Sequence, residues 1–137
     1  MTDSLQTAIN TLKEGGHTCV CVKNNKVFTF DDRGIKPIVY SLREDPSFFE
    51  NAYVADKVIG KAAAMLLCFG KINSLYAGVI SEPALSVLIE NNVNVSYGAK
   101  VPLIKNRDNT GMCPMETRAL DVDNLNDAYV LFDEIVK

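Results

Sequence analysis

The hydrophobic pattern of this chain has two rhythms. Leu5, Ala8, Ile9 and Leu12 recur at helical spacing, predicting a helix over 4–14 that stops at Gly15-Gly16. Thr18–Lys23 and Lys26–Phe30 are β-rich runs separated by Asn24-Asn25, two residues that tolerate positive φ, so a tight hairpin is expected. Arg33-Gly34 turns the chain, and Pro37 suits the first turn of a short helix running to about Arg43, which Asp45-Pro46 ends. The most helix-prone stretch is Val54–Phe69, with Gly70 as its C-cap. Ser74–Ile80 reads as a buried strand, and Glu82–Asn91 as a helix with Pro83 near its start. Two strands follow, Val93–Tyr97 and Val101–Asn106. A polar loop, Arg107–Gly111, leads to Cys113-Pro114 and a short helix, and Leu125–Val136 is a last amphipathic helix. A hairpin followed by strand–helix–strand units implies a mixed sheet with helices on both faces and right-handed crossovers. The expected fold class is therefore a three-layer α/β/α domain.

Composition narrows this picture. The 137 residues, 47% of them hydrophobic, suit one domain over 1–137 with a real core. A net charge of −3 argues against a general affinity for nucleic acid, which needs a cationic surface. Much of the acid is local: Asp121, Asp123, Asp127, Asp133 and Glu134 face only Lys137 at the C-terminal end. The remainder is slightly positive, so a small anionic metabolite is an acceptable partner. The longest apolar run, Ala62–Phe69, is too short for a membrane span, and the N-terminus lacks a signal-peptide pattern. Cys19, Cys21, Cys68 and Cys113 show no CxxC, so reduced thiols and a cytoplasmic location are expected. Nothing in the sequence decides between a monomer and a homo-oligomer.

The order of elements resembles the cytidine-deaminase-like fold. Zinc deaminases carry H-x-E at the start of the helix after the hairpin and P-C-x-x-C at the start of the helix after the next strand. Laid on the predicted elements, those places read Tyr53-Val54-Ala55-Asp56-Lys57 and Ser81-Glu82-Pro83-Ala84-Leu85-Ser86-Val87. The proline is in register, but Ala84 and Val87 stand where the cysteines would be, and no histidine lies near Asp56. Catalytic zinc needs three protein ligands and a water, so the resemblance implies neither zinc nor any other cofactor. Within that fold the chain is similar to an uncharacterised prokaryotic family, a domain of unknown function. The stretches that carry this are Arg33–Pro37, Ala55–Ala64, Val79–Leu85 and Gly111–Thr117. The purine-synthesis transformylase, of the same fold class, is a precedent for catalysis there without a metal, by analogy alone.

The candidate chemistry lies on few residues. On one predicted helix, Lys57, Lys61, Ala64 and Cys68 share a face, beside Gly60, on an otherwise apolar element. Two lysines at a helix N-terminus would hold an anion; the plainer reading is snorkelling amines partnered or capped by Asp56. In Cys113-Pro114-Met115-Glu116, Pro114 suits the first helical position. Cys113 at the N-cap would then be a thiol of lowered pKa, and Glu116 a base or an amine-holding group. A capping arrangement with a small buried cysteine is the preferred reading of Cys113. Arg33 and Lys36 around Gly34, Asn106 and Arg107 after a strand, and Ser81 past the Ser74–Ile80 strand are further ligand-binding candidates. For each of these, an ordinary solvated turn competes. His17, Cys19 and Cys21 share one face of a strand, yet thiolates one residue apart suit a packed core better than a metal. The leading expectation is one pocket in which these cations hold a small anionic, nucleotide-like metabolite, with Asp56 or Glu116 handling a proton. The alternative is a non-catalytic interaction or regulatory module on a deaminase-like scaffold.

Overall fold

A computed structural model describes residues 3–32, 34–105, 111 and 114–136. The elements are α1 (Asp3–Gly15), β1 (Cys19–Lys23), β2 (Lys26–Phe30), α2 (Lys36–Glu44), β3 (Tyr53–Ile59), α3 (Lys61–Phe69), β4 (Ser74–Ser81), α4 (Glu82–Glu90), β5 (Asn94–Val101), α5 (Pro114–Ala119) and α6 (Leu125–Ile135). The strands form one mixed sheet in the order β2-β1-β3-β4-β5. β1 runs antiparallel to β2 and β3, while β3, β4 and β5 are parallel. Because β2 and β3 both oppose β1, they end at the same edge of the sheet. The helices that follow them, α2 and α3, therefore begin at that edge.

The two faces of the sheet are covered unequally. Leu5, Ala8, Ile9 and Leu12 of α1 pack on Val20, Val22 and Ala55 to form the smaller core. The larger core joins Cys19, Cys21, Val54, Leu75, Ala77 and Ile80 to α2, α3, α4, α5 and α6. Alternation along β1 makes this division, with Cys19 and Cys21 on one side and Val20 and Val22 on the other. Asn24 and Asn25 have φ of 52° and 65°, the left-handed pair a two-residue hairpin needs, so the Asn-Asn turn forms as expected.

Two expectations are corrected. The stretch Val54–Phe69 is not one helix: it is strand β3, a break at Gly60 (ψ 179°) and helix α3. α3 is buried nearly all round, and β3 buries Val54, Ala55, Asp56 and Ile59 without strict alternation, so neither shows the periodicity that separates helix from strand. The β-branched Val54, Val58 and Ile59 favour the strand, and pairing to Ser74–Ile80 decides it. Of the two strands expected over 93–106, a single β5 forms over Asn94–Val101, set by its parallel register on β4; no strand element covers 102–105, and Asn106 lies outside the described residues. Gly70 does cap α3, but with φ −77° rather than a left-handed φ; Lys71 takes that role at +65°. Gly70 is there for space, since a Cβ would stand 2.9 Å from Phe49 Cβ.

The parallel strands carry a crease. Val54 and Asp56 lie on the larger-core side with Cys19, yet Ile59, three residues on, returns to that same core. Ala77 and Ile80 repeat the shift on β4. Strict alternation would forbid it. The change of phase falls at Lys57 on β3 and Gly78 on β4, with Gly98 on β5 following. A Cβ on Gly78 would stand 2.7 Å from the Lys57 carbonyl oxygen, and one on Gly98 2.8 Å from the Gly78 carbonyl oxygen. Glycine is required at both because backbone closes against backbone. The crease turns Val58 outward, 48% exposed, and aims the ends of β3 and β4 at the starts of α3 and α4.

Candidate functional site

Ligands in α/β domains bind beyond the carboxyl ends of parallel strands, and most of the described candidates gather at that edge. Glu116 of α5 is 1% exposed. Its Oε1 accepts the Lys61 N–H (2.7 Å) and its Oε2 the Ile104 N–H (2.8 Å). The Lys61 N–H is an orphan donor of the first turn of α3, where the helix dipole also favours a negative charge. Gly60 makes room: a Cβ there would meet the two carboxylate oxygens at 3.2 and 3.3 Å and Ile104 at 3.3 Å. The side chain of Lys61 is tethered as well, donating from Nζ to the Leu120 carbonyl (3.1 Å) just past α5. Glu116 and Lys61 thus clasp α5 against α3 from both directions.

Lys57 does not join Lys61. It lies in β3 rather than on a helix, and its side chain is exposed. The shared helical face that would have paired the two amines does not exist. Lys36 is exposed at the first position of α2, after Gly34 at φ +75°. Ser81 is fully buried and caps α4, its Oγ accepting the Ala84 N–H at 3.3 Å. Ser81→Ala is expected to lower stability by about 1 kcal/mol, read as a fall in the denaturation midpoint. Arg33, Asn106, Arg107 and Cys113 lie outside the described residues.

Asp56 does not begin a helix either; it sits within β3, 9% exposed, opposite Cys19 of β1. Its Oδ1 accepts the Val58 N–H at 3.2 Å, across the crease. Burial pushes its carboxyl up to about 7, against opposing hydrogen bonds from the Val58 N–H, the Cys19 thiol and the Lys57 N–H. Burial also raises the thiols: Cys19 well above the usual range, with Asp56 adding to the effect, and Cys21 and Cys68 to about 12. These three are packing thiols rather than nucleophiles. His17 is drawn away from Cys19 and Cys21 by Asp31, whose Oδ1 stands 2.7 Å from Nδ1. Among the described residues, no three His, Cys, Asp or Glu side chains stand together as a metal site, and no helix is long and apolar enough to cross a membrane.

A cleft of about 450 Å³ opens beside the clasp, between α3, α4 and the segment joining α5 to α6. Met65, Val87, Val122 and Leu125 give it an apolar floor, and Lys61, Glu90 and Asp123 put one cation and two carboxylates around it. The Lys61 amine beside the cleft donates one of its three N–H groups to the Leu120 carbonyl.

Sequence reasoning singled out Glu116, Lys61, Asp56 and Ser81, and all four prove to be buried or tethered near one edge of the sheet. It missed their partners. Ile104 and Leu120 act through backbone groups, which no side-chain pattern betrays. Cys19 lay in plain view, but its pairing with Asp56 depends on strand order.

Comparison with known proteins agrees with this architecture. The family described as a domain of unknown function, DUF1893 (TM1506), matches residues 7–136. The crystal structure of the DUF1893 family protein TM1506 from Thermotoga maritima superposes with a TM-score of 0.90 at 28% identity. The match covers 98% of this chain and 91% of that one. No curated protein matches. The chain accordingly belongs to the DUF1893 family, and its α/β fold closely follows that of the Thermotoga protein.

Proposed function

We propose that this domain is a non-catalytic binding or regulatory module on a cytidine-deaminase-like scaffold. The supporting layout is a β2-β1-β3-β4-β5 sheet with β1 antiparallel and with α2 and α3 starting at one edge. In zinc deaminases the helix after the hairpin and the helix after the next strand begin with the metal ligands and the catalytic glutamate. With Val54–Ile59 recognised as strand, those starts become Lys36-Pro37-Ile38 and Lys61-Ala62-Ala63-Ala64, which offer no set of zinc donors.

The observation that carries the proposal is Glu116. In a zinc deaminase the start of the second helix supplies cysteine ligands to the metal. Here a carboxylate from the chain's own α5 lies there, with each oxygen already accepting a backbone N–H. A base must reach a substrate proton, and Glu116 is 1% exposed. Its charge and geometry serve to close the site.

The test is ammonia release from cytidine, adenosine and their monophosphates, with and without added zinc. Background rates are expected throughout. Turnover that disappears in Glu116→Gln would overturn the proposal. Small-anion binding is the second reading, favoured by the exposed Lys36 at the first turn of α2. A thermal-shift series with phosphate and nucleotides separates the two readings. The second expects a rise in melting temperature that Lys36→Ala abolishes while the paired change of Lys57→Ala with Lys61→Ala leaves it intact. A rise lost only in the paired change would place the anion at Lys57 or Lys61 rather than at Lys36.

A further inference from the structure

We infer that Asp56 is a proton-dependent latch on the crease of the sheet, holding the Val58 N–H when ionised and loosening it on taking up a proton.

The geometry is that of a buried group with no cation to balance it. Among the described residues, the ion pairs are His17–Asp31 and Arg43–Asp133, and Asp56 belongs to neither. An unpaired carboxylate in an apolar core is costly, and a buried group avoids that cost by keeping its proton. Its neighbours are limited. On β1 it faces the Cys19 thiol, with Cys21 beyond; on β4 the residue in register is Ala77. Of the titratable groups on the helices packed over this side, only Cys68 on α3 and Glu116 on α5 are buried; Lys61 on α3 and Tyr129 and Asp133 on α6 are half-buried, and Lys36, Tyr40, Arg43 and Glu44 on α2, Glu82 and Glu90 on α4, Arg118 on α5 and Asp127 and Glu134 on α6 are exposed. None of these supplies a buried cation.

The same carboxyl is mechanically placed. Val58 lies just past the point where alternation shifts, and its N–H donates to Asp56 Oδ1, beside the hydrogen bonds from the Lys57 N–H and the Cys19 thiol. The next residues are Ile59, which re-enters the core, then Gly60 and Lys61, whose N–H meets Glu116. An ionised Asp56 is the stronger acceptor and tightens this turn, at the cost of a buried charge. A protonated Asp56 removes the charge and weakens the bond to Val58. The proton state is thereby linked to the path of the chain into the clasp at the start of α3.

Linkage gives the sign. The carboxyl, near 3.8 in the unfolded chain, lies near 7 when buried. Between those values the folded state holds the additional proton, so the stabilisation is complete below the lower value and lost as pH rises through the upper one. From pH 5 to pH 8 this one group is expected to lower the folding constant about a hundredfold.

Denaturant titrations of the whole chain at pH 5 and pH 8 test this with wild type, Asp56→Asn and His17→Gln. His17→Gln is the control because His17 is the single histidine of the sequence and histidine is the side-chain type most often responsible for pH dependence near neutrality. The hundredfold fall is expected in wild type and His17→Gln but not in Asp56→Asn. A second readout needs no variant: the Asp56 carboxyl carbon and the Val58 and Lys61 amides of wild type, followed by NMR, should shift together with one midpoint near neutrality. Loss of the pH slope in His17→Gln, or an Asp56 carboxyl that titrates in the ordinary carboxylate range, would overturn the inference. A carboxyl that titrates near neutrality while Val58 and Lys61 stay unmoved would overturn the latch.

Discussion

Glu116→Ala is expected to remove about 3–5 kcal/mol of stability, the largest loss for any single side chain at this edge of the sheet. Truncation leaves the Lys61 and Ile104 N–H groups without their acceptor. Each buried unsatisfied donor costs on the order of 1–3 kcal/mol. It also empties a space that is closely lined, since Gly60 and Ile104 lie against the carboxylate, and a cavity adds its own penalty. Nothing else at the start of α3 replaces the charge: Gly60 has no side chain to cap it, and the first turn holds no acid. Set against the roughly 5–15 kcal/mol typical of a domain, the variant should be marginal. Glu116→Gln refines the expectation. Its amide oxygen keeps one acceptor while its NH₂ opposes the second N–H, so about half the loss should remain. Urea denaturation of the three proteins gives the comparison, and a Glu116→Ala midpoint equal to wild type would show that the clasp contributes nothing.

Gly78→Ala is expected to be nearly as damaging, for a different reason. The added methyl would lie 2.7 Å from the Lys57 carbonyl oxygen, a backbone atom of the neighbouring strand. A side chain would swing aside; a carbonyl in a parallel ladder does so only by breaking its pairing. Overpacking of this kind costs about 1–3 kcal/mol, more where backbone must move. Gly98→Ala meets the Gly78 carbonyl oxygen at 2.8 Å and should behave alike, tempered by its place on the edge strand. Gly111, with nothing within 4 Å of a Cβ, is the matched control and should change little as alanine. Amide exchange of Val58 and Ile59 would show whether the damage is confined to the crease, as its position on β3 implies.

Much of the fold is legible in the chain. The helix at 4–14 appears almost as expected, because its apolar stripe covers one face only. The Asn24-Asn25 hairpin appears because two left-handed residues have few other uses. Pattern reasoning failed at Val54–Phe69, where the helix is buried nearly all round, the crease breaks the alternation of the strand, and the hydrophobic pattern loses its period. That error also carried Asp56, Lys57 and Lys61 onto one imagined helix. Ser81 was singled out for lying past a strand, and it caps the helix after that strand. Glu116 was singled out beside a helix start of its own, yet it closes the start of a different helix, 55 residues earlier in the chain.

By itself the chain established the features that short-range physics dictates. Periodicity marks helices with one wet face, turn residues mark the hairpin, and a mixed α/β order narrows the class of fold. The tertiary structure decided every relation in which the partner is a backbone group or a residue distant in sequence. Glu116 meets two peptide N–H groups, Lys61 meets a peptide carbonyl, and Asp56 meets a thiol that strand order brings beside it. Peptide groups are the same at every position, so no pattern of side chains can announce which of them a carboxylate will find. Only the packing of the sheet and its helices selects them, and here that packing brings Glu116 to the Lys61 and Ile104 N–H groups and the Lys61 amine to the Leu120 carbonyl.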